Sequence, residues 1–136
     1  MKAYLLDTSA FLTLRDDEPG AARVAELLGQ AQQGTVRCVG CFMSLMEVLN
    51  RVWRDESEAA GRLAYEQCLA LPVTWIHETP ELLTRASALK ATHPLSLADA
   101  WIAACAIEEN AVLVHKDPEF KAMALEQEVL PLKASG

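Results

Sequence analysis

Two kinds of apolar pattern alternate along the chain. Ala3 to Leu6, Val36 to Val39, Val73 to His77 and Val112 to His115 are short apolar runs with turn or cap residues near their ends, as in parallel strands buried on both faces. Between them, apolar residues return every three or four positions. Pro19 to Gln33 places Val24, Leu27, Leu28 and Ala31 on one helical face and stops at Gly34. Thr79 and Pro80 read as an N-cap followed by proline at the first helical position, opening a helix to about Lys90. Ser44 to Trp53 and Ser57 to Leu71 predict two further helices, close enough in sequence to form a hairpin. Leu95 to Ile107 predicts a central helix, apolar on almost every face. Val129 to Leu132 adds a last strand, which Pro131 confines to an edge. The alternation predicts an α/β three-layer sandwich: a mainly parallel sheet of four to five strands with helices on both faces.

The chain has 136 residues, 51% hydrophobic and 23% charged, which suits one globular domain over 1–136. Its longest stretch without a formal charge, Gln67 to His77, contains a proline and falls short of the roughly 20 apolar residues of a membrane span. Only four apolar residues separate Lys2 from Asp7, too few for the core of a secretory signal, so a cytoplasmic protein without a membrane partner is expected. A net charge of -7 excludes a general basic surface for nucleic acid, and any phosphate-bearing ligand needs local help. The four cysteines are expected as free thiols. Cys38 and Cys41 form a C-x-x-C, but Cys68 and Cys105 lie singly in apolar helical patterns and do not complete a four-ligand zinc site.

Solitary acids are the most informative feature. Asp7 is the only formal charge between Lys2 and Arg15, Glu47 the only one between Arg37 and Arg51, and Asp99 the only one between Lys90 and Glu108. Burying an unpaired carboxylate is expensive, and no nearby cation is supplied in sequence. Glu47 follows Ser44, and Asp99 follows Ser96, at the Ser-x-x-acid spacing of a capping box. Asp7 follows the first strand and precedes Thr8 and Ser9, and Asp117 follows the fourth and precedes Pro118. All four are thus expected at helix entrances, which in an open α/β sheet lie at the carboxyl edge where ligands bind. Capping alone accounts for any one such acid through the helix dipole, worth about 0.3–1 kcal/mol. It does not account for an acid in otherwise uncharged, apolar company. Several carboxylates in one partly desolvated pocket repel one another unless a divalent cation neutralises them, and oxygen-only ligands select Mg²⁺ or Mn²⁺. The chemistry that follows is metal-assisted phosphodiester hydrolysis, with hydroxyls at Thr8 and Ser9 to orient water or substrate, or to cap the first helix.

Leu5-Leu6-Asp7-Thr8-Ser9-Ala10, Glu18-Pro19-Gly20, Ser44-Leu45-Met46-Glu47-Val48, Leu95-Ser96-Leu97-Ala98-Asp99-Ala100 and Leu113-Val114-His115-Lys116-Asp117-Pro118-Glu119-Phe120 resemble, in that order, the PIN-domain ribonucleases. The toxins of VapBC-type toxin–antitoxin modules are the nearest match. The resemblance implies a PIN-like fold and an endoribonuclease that uses Mg²⁺ or Mn²⁺ to cut single-stranded RNA. Asp7, Glu47, Asp99 and Asp117 would form its acidic cluster, with Asp7 and Asp99 the foremost metal ligands. It also implies a cognate antitoxin that blocks the site, contact with DNA only through that antitoxin, and a homodimer. The fourth motif departs from the family pattern, since His115 stands where Thr or Ser is common; Asp117 fits the spacing of the fourth acid better, with Glu119 as the second candidate. Packing or capping is the expected role of His115. Arg15, Arg51, Arg54 and Arg85 are candidates for holding RNA phosphates, without a choice among them. A groove for an amphipathic antitoxin segment is expected from apolar residues of the second helix and of the Ser44 to Leu71 hairpin.

Other readings fit less well. A receiver domain expects paired acids after the first strand, and an aspartyl-phosphate phosphatase expects a second Asp where Ser9 stands. A catalytically silent PIN-fold binding module and a stand-alone RNA-processing PIN nuclease remain as alternatives.

Overall fold

The computed structural model describes residues 1–132; the last four residues of the expected 1–136 unit lie outside the described residues. In chain order the elements are β1 (Ala3–Leu6), α1 (Thr8–Arg15), α2 (Ala21–Gln32), β2 (Arg37–Cys41), α3 (Phe42–Asp55) and α4 (Glu58–Ala70). They continue with β3 (Thr74–Ile76), α5 (Pro80–Thr92), α6 (Leu97–Glu108), β4 (Val112–His115), a 3-10 turn (Pro118–Phe120) and β5 (Gln127–Val129). All strands pair in parallel in the order β3-β2-β1-β4-β5, so the earliest strand is the central one.

Alternation along the strands builds two cores. Leu5, Val39, Cys41 and Leu113 face one side, packed with α5, α6 and Phe120; Tyr4, Leu6, Cys38, Val112 and Val114 face the other, packed with α1 to α4. Side chains on a strand point alternately to opposite faces, so each buried strand reads as a continuous apolar run. Cys38 and Cys41, three residues apart on β2, consequently lie in different cores, and all four cysteines are buried free thiols. Burial pushes the Cys38 and Cys68 thiols up to about 11.

Thr79 caps α5 through Leu82 N–H and Ser96 caps α6 through Asp99 N–H, as expected, and Ser57 caps α4 through Ala60 N–H. The second helix stops before Gly34, which takes φ 80°, a conformation open to glycine at little cost. One expected cap is corrected. Strand β2 runs straight into α3, whose N-cap is Cys41, so Ser44 lies inside the helix and Glu47 falls in its second turn rather than at its entrance. The buried Ser44 hydroxyl bonds the Thr8 hydroxyl across 2.9 Å instead of capping. The last strand also sits earlier than expected: β5 pairs Gln127 to Val129 with β4, and Leu130 N–H still donates to His115 O before Pro131 ends the ladder.

The α3–α4 hairpin closes over Gly61. A Cβ there would lie 2.8 Å from the Leu49 carbonyl oxygen and 2.9 Å from Trp53 Cβ. Backbone cannot yield as a flexible side chain can, so Gly61→Ala should cost about 1–3 kcal/mol. In urea unfolding the midpoint should fall while the m-value stays unchanged; an unaltered midpoint would refute this packing.

Candidate active site

Successive connections leave β1 toward β2 and β3 on one side, while β4 and β5 lie on the other. The seam between β1 and β4 is therefore the switch point, and its carboxyl end is where an open α/β sheet offers a crevice. Asp7 directly follows β1, and its N–H donates to Val114 O at 3.1 Å, extending the strand pairing. Asp117 lies two residues beyond His115 on the neighbouring strand.

Asp7 is the N-cap of α1. Its Oδ1 accepts from Ala10 N–H at 3.0 Å and from the Ser9 hydroxyl at 2.6 Å. The Ser9 oxygen in turn accepts from Lys116 N–H at 3.1 Å, tying the loop after β1 to the loop after β4. Thr8 gives its single proton to Glu47 Oε1 at 2.6 Å, so Ser44 must be the donor in the buried hydroxyl pair. Both hydroxyls after Asp7 are thus engaged in fixing carboxylates.

Asp99 occupies the third position of α6, and burial leaves it 9% exposed. On the opposite loop, Asp117 Oδ1 accepts from Glu119 N–H at 2.9 Å. Asp117 N–H donates to His115 Nδ1 at 3.0 Å, so the other ring nitrogen carries the proton that reaches Gln127 Oε1 at 2.8 Å. Gln127 Nε2 donates to the carbonyl oxygens of Phe120 and Met123. Fully buried His115 is therefore a packed, doubly bonded support for the Asp117 loop, and burial holds its pKa below the usual value.

Asp7, Glu47, Asp99 and Asp117, the four acids expected at the site, line one cavity of about 130 Å³ together with Thr8, Ser9, Leu12 and Arg51. Glu119 adds a fifth carboxylate: one oxygen each from Asp99, Asp117 and Glu119 lie within 4.8 Å of one another. These three carboxylates are grouped closely enough that they would be able to hold one divalent ion. Among the described residues, Asp7 Oδ2 and Glu47 Oε2 make no hydrogen bond. An all-oxygen donor set with spare acceptors fits a hard divalent cation. The two candidates for the fourth acid thus do not compete for one place: Asp117 lines the cavity and Glu119 flanks it, also accepting weakly from Ser96 N–H at 3.3 Å. Sequence reasoning overlooked Ser44 and Gln127 as supports, because the partners of both are remote in the chain.

The electrostatics carry the mark of crowding. Burial pushes the Asp7 pKa up to about 7; the bonds from Ser9 and Ala10 oppose this, and the charges of Asp117 and Glu47 add to it. Asp99 is held well above the carboxylate range, first by burial and then by Glu119 and Asp117 beside it.

An apolar groove of about 220 Å³ opens elsewhere, between α1, α3 and α4, lined by Phe11, Leu14, Val48, Ala64, Cys68 and Leu71 among others. The expected share of the second helix is absent from it, because Val24, Leu27 and Leu28 of α2 are buried against the sheet; α1 takes that place.

Comparison with known proteins agrees with this architecture. The family model described as PIN domain matches residues 4–126. The chain belongs to the PIN-domain family. No curated protein sequence matches it. Among solved structures, this PIN domain is similar to VapBC2 from Rickettsia felis bound to a promoter DNA fragment, with TM-score 0.76 and 19% identity, covering 95% of this chain and 99% of that one. VapBC-1 from nontypeable Haemophilus influenzae gives TM-score 0.70 and 24% identity over 93% and 97% of the two chains. The sarcin–ricin loop cleaving toxin VapC20 of Mycobacterium tuberculosis gives 0.70 and 19% over 94% and 99%.

The raised pKa of Asp7 links stability to pH. An acid protonated more readily in the folded chain favours folding most below its unfolded pKa, near 4, and loses that contribution as pH climbs through about 7. Asp7→Asn keeps an oxygen to cap α1 and removes the charge. Without divalent metal at pH 8, its melting temperature should exceed that of wild type by about 5 °C, and the gap should close by pH 4. Equal gaps at both pH values would refute the electrostatic account.

Proposed function

We propose that this protein is a Mg²⁺- or Mn²⁺-dependent endoribonuclease acting on single-stranded RNA in the cytoplasm, as the toxin of a VapBC-type pair. The observation that carries the reading is the convergence of four carboxylates, from four separate segments, on one small cavity at the β1–β4 seam. Family membership and the likeness to VapC-containing structures support it. Asp7, Glu47, Asp99 and Asp117 are the catalytic acids, and Asp7 and Asp99 are the principal metal ligands, with Glu47 and Asp117 completing the set. Glu119 lends its charge from the rim.

Bound Mg²⁺ or Mn²⁺ supplies activation of the attacking water and relief of the charge that builds on the phosphoryl and leaving oxygens. The protein's own contribution is positioning. Thr8 fixes Glu47, Ser9 fixes Asp7 and clamps the two loops together, and His115 holds the Asp117 backbone. These bonds hold three of the four acids aimed at one place before any ligand arrives.

Purified protein given single-stranded RNA and Mn²⁺ should cleave it, and a chelator should stop the reaction. Asp7→Asn or Asp99→Asn should lower the rate at least about 100-fold with circular dichroism unchanged, and Asp117→Asn should cost more than Glu119→Gln. Cleavage that survives the chelator, or the first two substitutions, refutes the reading. Protein inert toward a range of RNAs and metals would favour a silent binding module.

An antitoxin is the proposed occupant of the α1–α3–α4 groove, laying an amphipathic helix against Phe11, Leu14 and Val48, and it alone brings the complex to DNA. Co-expression with the small DNA-binding protein of a short upstream reading frame should give a complex that Leu14→Glu weakens at least about tenfold; undiminished affinity refutes the groove. The protomers are proposed to pair as a homodimer.

A further inference from the structure

In a chain with 19 acidic and 12 basic residues, nearly every arginine is committed. Arg15 pairs with Asp16 and Glu56, Arg23 with Glu26 and Glu128, Arg37 with Glu109, Arg54 with Asp55, Arg62 with Glu58, and Arg85 with Glu108. Arg51 is the exception: among the described residues it makes no ion pair or hydrogen bond. It is also the one arginine on the wall of the acid-lined cavity.

Its isolation is built into α3. Glu47 and Asp55 stand four residues before and after it, the spacing at which helical ion pairs form. Each is engaged elsewhere. Glu47 Oε1 accepts from Thr8, and Asp55 Oδ1 accepts from Arg54 at 3.0 Å. An exposed guanidinium with five donors is thereby left over, one helical turn beyond Glu47 on the same face. Among the described residues it is the only cation lining the cavity, and its planar fork matches two oxygens of a phosphate.

The cavity does not end at Arg51. Ser9, Leu12 and Arg51 also line a second cleft of about 290 Å³, which runs on past Arg15, Val52 and Lys116. The carboxylates that line it are each paired, Asp16 and Glu56 with Arg15, Glu18 with Lys116 and Asp55 with Arg54. A chain molecule with one phosphate among the carboxylates has a continuous course over Arg51 into this cleft. We propose that Arg51 is a phosphate-binding subsite for RNA, gripping the phosphodiester adjacent to the one presented to the acids and setting the direction in which the strand crosses the site. This rests on the nuclease reading and adds to it a residue and a path. It also chooses among the arginines that sequence left equivalent, since Arg15, Arg54 and Arg85 are already paired.

The test separates binding from cleavage. A fluorescein-labelled, mixed-sequence single-stranded RNA of about 20 nucleotides is titrated with full-length Asp7→Asn protein in Mn²⁺, and anisotropy is read at several salt concentrations. Adding Arg51→Gln should raise Kd about tenfold, the loss of one charged contact, and flatten the slope of log Kd against log salt by about 0.7, the counterion share of one phosphate on a single strand. Arg51→Lys should keep the slope and recover only part of the affinity, because a point charge replaces a fork. Arg85→Gln, on α5 and paired with Glu108 away from the cavity, should change neither quantity. Unchanged Kd and slope in Arg51→Gln, or an equal effect from Arg85→Gln, overturns the proposal; the first is also the outcome expected if Arg51 serves a carboxylate of a protein partner. Failure of wild-type protein to cleave, with RNA affinity still dependent on Arg51, would instead count against the nuclease reading alone.

Discussion

Mutual repulsion among carboxylates withdrawn from water is the constraint around which this molecule is arranged. Four acids share a cavity of about 130 Å³ with a fifth at its edge, and the two most buried are pushed far from their ordinary titration range. Folding must hold these groups together against a cost that rises with every charge. The local devices are visible: helix N-termini at Asp7 and Asp99, a hydroxyl donating to Asp7 and another to Glu47, and a backbone N–H donating to Asp117. Each bond occupies one face of a carboxylate. None neutralises it, and that unfinished balance is what makes a divalent cation the natural complement.

The rigidity needed for this comes from the sheet. Leu5, Leu6, Leu113 and Val114 are fully buried, and they anchor the two strands whose ends carry Asp7 and Asp117. Truncating such residues costs about 2–5 kcal/mol, so the spacing of the two loops is secured by some of the most stable packing in the chain. Alanine-rich α6 contributes differently. Ala100, Ala103, Ala104 and Ala106 are all nearly or fully buried, and their small side chains let the helix that carries Asp99 lie close to the sheet.

Much of this was legible in the sequence, and for identifiable reasons. Strands buried on both faces announce themselves as unbroken apolar runs, and caps such as Thr79-Pro80 and Ser96 are local signals, so neither needs tertiary information. The convergence was legible because Asp7, Glu47 and Asp99 each stood alone among apolar residues, while Asp117 was marked by its place after the fourth strand and before Pro118. Where the reading slipped, a distant partner decided the matter. Ser44 carries the spacing of a cap, yet β2 enters α3 without a break and the hydroxyl turns to Thr8, 36 positions away. Spacing favoured Asp117 over Glu119 as the fourth acid, and only the folded chain shows that both approach Asp99. Leu27 and Leu28 looked available for a groove because periodicity reveals an apolar face but not what covers it. Arg51 was indistinguishable from its fellows for a similar reason: its distinction is the absence of a partner, which only the folded chain discloses.

The outermost strands, β3 and β5, have three residues each, and Pro131 stands just past the end of β5. So short a rim offers little template for another extended chain, and proline removes one of the donors such a neighbour would need. The molecule is thereby shielded from growing into ribbons through its borders.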